Sequence, residues 1–123
     1  MTTDPIDLVR ELCAAFGEGD LDRIVGFFTE DAVYHNIPVD PVVGPDAIRA
    51  LLASFTTGVE SIEFRIASIA ADGGTVLTER VDVFRYPGKE ISLPVMGTFE
   101  VAGGKIAAWR DYFDMQQFMS QLA

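Results

Sequence analysis

Apolar residues along the chain follow one rhythm in the first half and another in the second. From Pro5 to Phe16, the residues Ile6, Leu8, Val9, Leu12, Cys13 and Phe16 recur at helical spacing. Asp4 stands at the N-cap, Pro5 at the first helical position, and Gly17 and Gly19 as the stop. Asp20 predicts the cap of a second, short helix, with Leu21, Ile24, Val25 and Phe28 as its stripe. "DAVYHNIP" reads as a short extended segment ending before Pro38, and a third helix is predicted from Pro45 to Thr56, with Ile48, Leu51, Leu52 and Phe55 on one side. Beyond it the period falls to two. "VESIEFRIASIAA", "TVLTERVDVFRY", "EISLPVMGTFEV" and "KIAAWRDYFD" are divided by Asp72-Gly73-Gly74, Pro87-Gly88 and Gly103-Gly104, which mark hairpins of antiparallel strands. "MQQFMSQLA" closes the chain as a last turn or two of helix. Helices first and a strand meander afterwards predict an α+β fold. The expected form is cone-like, a strongly curved mixed or antiparallel sheet with three to four helices on its concave face.

Composition narrows the picture. A chain of 123 residues suits a single domain spanning residues 1–123. Its 49% hydrophobic content excludes disorder. A net charge of −10 argues against nucleic acid or anionic membranes as partners. The single cysteine, Cys13, cannot form an intramolecular disulfide or a Cys-rich zinc site, and it fits a small core position. No leader pattern and no apolar run of about 18 residues is visible, so a cytoplasmic protein without membrane insertion is expected. No His/Cys cluster has metal-ligand spacing, so neither metal nor cofactor is expected.

The candidate chemistry lies in polar residues that alternate in phase with apolar ones. Tyr34 and Asn36 share a face of their segment. In "TERVDV", Arg80 and Asp82 share a face with Thr78 and Phe84, while Val81 and Val83 take the other. Arg and Asp two apart on a strand usually form a weak surface ion pair. Asp111 weighs against that reading, because it stands between Trp109 and Phe113, large aromatics that favour burial. A buried carboxylate needs a partner, and the planar fork of Arg80 can serve two at once. An Asp82–Arg80–Asp111 cluster would be internally satisfied. Two carboxylates held so close do not both ionise easily, which leaves one protonated and one charged at neutral pH.

"YHNIP", "TERVDV" and above all "GKIAAWRDYFD" give the chain a resemblance to the limonene-1,2-epoxide hydrolase family, within the nuclear-transport-factor-2-like superfamily. The resemblance covers nearly the whole chain. It implies that Tyr34, Asn36, Arg80, Asp82 and Asp111 form a catalytic set that opens an epoxide to a vicinal diol in one step. In that implied scheme Asp111 is the base for a water held by Tyr34 and Asn36, Asp82 is the acid, and Arg80 bridges them. A lipophilic epoxide is the expected substrate, in a pocket walled by Leu51, Phe55, Phe84, Leu93, Val95, Trp109 and Phe113. A covalent route would need a His–acid pair, and the only histidine, His35, alternates away from Tyr34 and Asn36. Leu77, Val81, Val83 and Ile106 are expected on the opposite sheet face, where a homodimer contact would cover them. Two other classes remain open: an isomerase or cyclase on the same fold, and a non-catalytic binder of hydrophobic ligands.

Overall fold

A computed structural model describes residues 4–123. Helix α1 spans Pro5–Glu18, two residues longer than the glycine at 17 suggests. Asp4 caps it by accepting hydrogen bonds from the N–H groups of Ile6 and Asp7. Gly19, left-handed at φ 72°, ends it, a conformation that costs glycine nothing. Helix α2 is a brief turn, Leu21–Val25, capped by Asp20. Phe28, expected on its stripe, instead opens strand β1 (Phe28–Asn36), which is longer than "DAVYHNIP" predicted. A two-residue strand, β2 (Val42–Val43), precedes helix α3 at Pro45–Thr56, where the spacing placed it. Strands β3 (Ser61–Asp72), β4 (Thr75–Tyr86), β5 (Lys89–Ala102) and β6 (Lys105–Tyr112) follow, joined by two-residue turns, and helix α4 (Met115–Leu122) comes last.

The strands form one curved, unclosed sheet in the order β2-β1-β6-β5-β4-β3. Strand β1 runs parallel to β6, so the sheet is mixed and the antiparallel meander covers only β3 to β6. Helix α1 packs across β3 and β4, and α3 packs beside β1. Their apolar faces meet the inner face of the sheet around Trp109. That ring stacks on Tyr34 at 4.5 Å and Phe99 at 5.0 Å, and meets Phe16 edge-on. Such pairs contribute about 0.5–1.5 kcal/mol each beyond their burial. Cys13 sits in this core, and burial pushes its thiol up to about 12, so it acts as a small apolar side chain.

Strand β6 is shorter than β5, and its pairing with β5 runs only from Met96 to Ala102. Helix α4 closes part of the remaining edge. The Gln121 side chain accepts from the Ser92 N–H at 3.1 Å and donates to the Ser92 carbonyl at 2.9 Å, as a neighbouring strand would. Among the described residues no helix is long and apolar enough to cross a membrane.

The expected outer face needs two corrections. Ile106 is fully buried in the core, because an extra residue, Ala107, bulges out of β6 where Glu100 faces Ala108 and Val101 faces Ile106. The bulge turns Ile106 to the inner side. Val83 does alternate outward, yet it is already fully buried within the single chain. The apolar surface left open is Leu77, Met96 and Tyr112, each about half exposed, with Val81 half-buried among them.

Candidate active site

Sheet register assembles the polar cluster. Thr78 on β4 faces Gly97 on β5, Gly97 faces Asp111 on β6, and Asp111 faces Asn36 on β1. Four strands thus contribute one straight row. Arg80 and Asp82 lie farther along β4, opposite Val95 and Leu93, and Tyr34 lies opposite Trp109. Alternation points all of them inward, toward the helices.

Arg80 is the hub and is buried at 1% exposure. Its Nε and Nη2 donate to the two oxygens of Asp82 at 3.0 and 2.8 Å. Nη1 and Nη2 donate to the two oxygens of Asp111 at 3.1 and 2.9 Å, and Nη1 also donates to Thr78 Oγ1 at 3.2 Å. These five hydrogen bonds match the five N–H groups of a guanidinium. The guanidinium carbon also lies over the ring of Phe64 on β3, 4.8 Å from its centroid. Burial alone would pull the Arg80 pKa down, but Asp111 and Asp82 more than offset it, so the group stays charged.

The two carboxylates are not equivalent. Asp111 receives a third N–H, from Trp109 Nε1 at 2.7 Å, so its negative charge has donors from two side chains. Among the described residues Asp82 has only Arg80. Burial pushes the Asp82 carboxyl up to about 6, with the charge of Asp111 adding to the rise and Arg80 opposing it. Tyr34 is also buried, and burial together with Asp111 holds its hydroxyl protonated far above neutral pH. Asn36 acts in the opposite direction on that hydroxyl, lowering its pKa.

Above the carboxylates lies a cavity of about 180 Å³. Tyr34, Asn36, Asp82 and Asp111 form its polar end. Leu51, Phe55, Phe84, Leu93, Val95 and Phe113 wall it, each an expected position. Trp109 does not reach the wall. It is fully buried behind Asp111, because its ring belongs to the core stack and only its N–H turns toward the site. His35 lies outside the lining, opposite Arg110 on β6.

Sequence reading missed Val39, Phe64, Met115 and Phe118 as lining residues. Phe64 was recoverable, since it pairs with Asp82 across β3 and β4 and so shares its face. Met115 and Phe118 depend on where α4 docks, which no local pattern encodes. Phe118 meets Phe84 edge-on at 5.9 Å, and Phe84 meets Phe55 at 6.5 Å, so α4 and α3 reach the wall through one aromatic run.

The sequence matches the model of the limonene-1,2-epoxide hydrolase catalytic domain over residues 3–123. It is 34% identical over 114 residues to epoxide hydrolase EphG of Mycobacterium tuberculosis, covering 93% of this chain and 76% of that protein. The solved structure of an LEH-like epoxide hydrolase of M. tuberculosis superposes with a TM-score of 0.85 at 34% identity, over 98% of this chain and 90% of that one. A candidate polyketide cyclase from Xanthomonas campestris shares the fold at a TM-score of 0.88 and 24% identity, over 97% and 96% of the two chains. That likeness concerns architecture alone. The family match runs through every strand that supplies the Arg80 cluster, and on that ground the chain belongs to the limonene-1,2-epoxide hydrolase family.

Proposed function

We propose that the protein hydrolyses a compact lipophilic epoxide to a vicinal diol, in one step and without a covalent intermediate. The observation that carries this reading is Arg80, paired through two hydrogen bonds to each of two carboxylates at the polar end of an apolar cavity. Ring opening needs a proton removed from the attacking water and a proton given to the departing oxygen. Asp111 takes the first as the water oxygen bonds to a ring carbon. Asp82 gives the second as the carbon–oxygen bond of the ring breaks. Each transfer is typically worth about 10²–10⁴-fold. Tyr34 and Asn36 hold the water, whose placement contributes further. The step ends with a proton on Asp111 and none on Asp82, and exchange with solvent restores the start.

Pocket size bears on the substrate. A cavity of about 180 Å³ is smaller than the roughly 300–1,000 Å³ common for drug-sized ligands. It favours a terpene-sized epoxide over anything larger. An isomerase or cyclase would use a neutral acid to stabilise an enolate, and a guanidinium locked onto both acids suits that chemistry poorly. The reading is tested by incubating the protein with limonene 1,2-epoxide, cyclohexene oxide and styrene oxide. Diol from at least one is expected. No diol from any, with binding of limonene to the cavity intact, would leave the ligand-binding reading.

The acid role fixes a pH dependence. Asp82 acts only when protonated, and its carboxyl titrates at about 6. kcat/KM should therefore fall as pH rises past about 6, approaching tenfold per pH unit. A profile flat from about pH 6 to 8 would remove Asp82 from this role.

We also infer a homodimer across the outer sheet face, with Met96, Tyr112, Leu77 and Val81 at the contact in place of the expected Val83. Light scattering should give twice the chain mass for the wild type and the chain mass for Met96→Glu. A monomeric wild type contradicts the inference.

A further inference from the structure

Two residues that touch neither the cavity nor a reacting atom decide whether Arg80 can hold both acids at once. Arg80 starts on β4, while Asp111 is on β6, two strands away. Strands are about 4.8 Å apart, so the guanidinium must cross over β5 to reach Asp111. It crosses at Gly97. A Cβ built there would collide with Arg80 Nη1 and lie 2.7 Å from Asp111 Oδ1 and 2.9 Å from Thr78 Oγ1. Real Cβ atoms do not approach that closely, so any side chain at 97 displaces the cluster. The backbone at Gly97 is ordinary extended strand, so its lack of a side chain is required for space and not for conformation.

Thr78 sets the angle of the fork. Its hydroxyl donates to the Gly97 carbonyl at 3.4 Å, which leaves a lone pair for Arg80 Nη1 at 3.2 Å. Thr78 is 1% exposed, so no solvent can substitute for this acceptor in place. Nη1 is also the donor to Asp111 Oδ1, so the threonine and the base share one nitrogen. With Thr78 in place, Nη1 has two acceptors and Nη2 bridges both acids. Without it, one N–H of a buried cation has no partner, and rotating the fork to find one breaks a carboxylate contact.

We infer that Thr78 and Gly97 are positioning residues of the site: the hydroxyl fixes the plane of the Arg80 guanidinium, and the glycine opens the gap through which it reaches Asp111. The inference rests on the proposed hydrolysis for its effect on turnover, and on geometry alone for its effect on the cluster. The chain has one tryptophan, Trp109, whose indole N–H donates to the Asp111 oxygen that Arg80 Nη1 also contacts. A ¹⁵N-labelled sample therefore gives a single indole N–H signal that reports on Asp111 directly.

Thr78→Val keeps shape and removes the hydroxyl, whereas Thr78→Ser keeps the hydroxyl. The valine variant should lose about 10- to 100-fold in kcat with KM within about twofold, and its indole signal should move. The serine variant should match the wild type in both. Gly97→Ala should lose more in kcat than Thr78→Val. A folded valine variant with wild-type kcat overturns the inference, as does a serine variant that fails as badly as valine. Should the wild type itself hydrolyse no epoxide, the reading of function falls and the indole signal decides alone. A shift in valine but not serine supports the positioning role, and an unmoved signal in valine overturns it.

Discussion

Asp111→Asn should abolish turnover, with a loss of at least about 10³-fold in kcat, while the circular dichroism spectrum stays near that of the wild type. The urea midpoint should fall, because the amide nitrogen meets an N–H donor where a carboxylate oxygen accepted. The carboxylate is buried at 4% exposure between Arg80 and Trp109, and asparagine fills the same volume. The amide can still accept from the guanidinium through its one oxygen, and Arg80 keeps both contacts to Asp82. What the amide cannot do is take a proton from water. Activity within tenfold of the wild type would remove Asp111 as the base.

Arg80→Met should act on stability as strongly as on turnover. Methionine is apolar and flexible enough to fill the space, but it leaves two buried carboxylates facing each other without a cation. Breaking a buried ion pair in this way costs about 3–5 kcal/mol at neutral pH. The cost should shrink as pH falls, for the following reason. Once Arg80 is gone, protonation of the pair in the folded state relieves both repulsion and burial, whereas the unfolded chain binds those protons only near pH 4. Between neutrality and that point the folded variant binds more protons than the unfolded one, so lowering the pH stabilises it. Urea titrations should show a deficit that is large at pH 7 and clearly smaller at pH 5. A deficit independent of pH would mean that the carboxylates are not what Arg80 neutralises.

Particular residues show what the sequence could and could not convey. The β3–β4 and β4–β5 hairpins were legible because two-residue turns with glycine fix the register of the strands beside them, and that register places Arg80 and Asp82 inward together. The link to Asp111 was legible as chemistry, since an aspartate between two aromatics needs a cation. The parallel pairing of β1 with β6 was not, because alternation looks the same whichever way the neighbour runs. Nor was the bulge at Ala107, where two adjacent small alanines hide the change of phase that sends Ile106 into the core. Trp109, expected in the wall, lies in the core for a different reason. Its ring is satisfied by either, and its place was decided by stacking on Tyr34 and Phe99, which lie on other strands. Gly97 carries the least signal of all, since its meaning lies in two neighbours from different strands.

Direct attack by water is the core of the account, and one turnover in labelled solvent tests it. Enzyme in excess over a small epoxide such as limonene 1,2-epoxide, mixed in H₂¹⁸O and quenched after a single turnover, should give diol carrying one ¹⁸O atom. If a carboxylate attacked the ring instead, the first diol would take its oxygen from the enzyme and be unlabelled, and the label would appear on an aspartate. Unlabelled diol in that first turnover would contradict the assignment of Asp111 as a base acting through water.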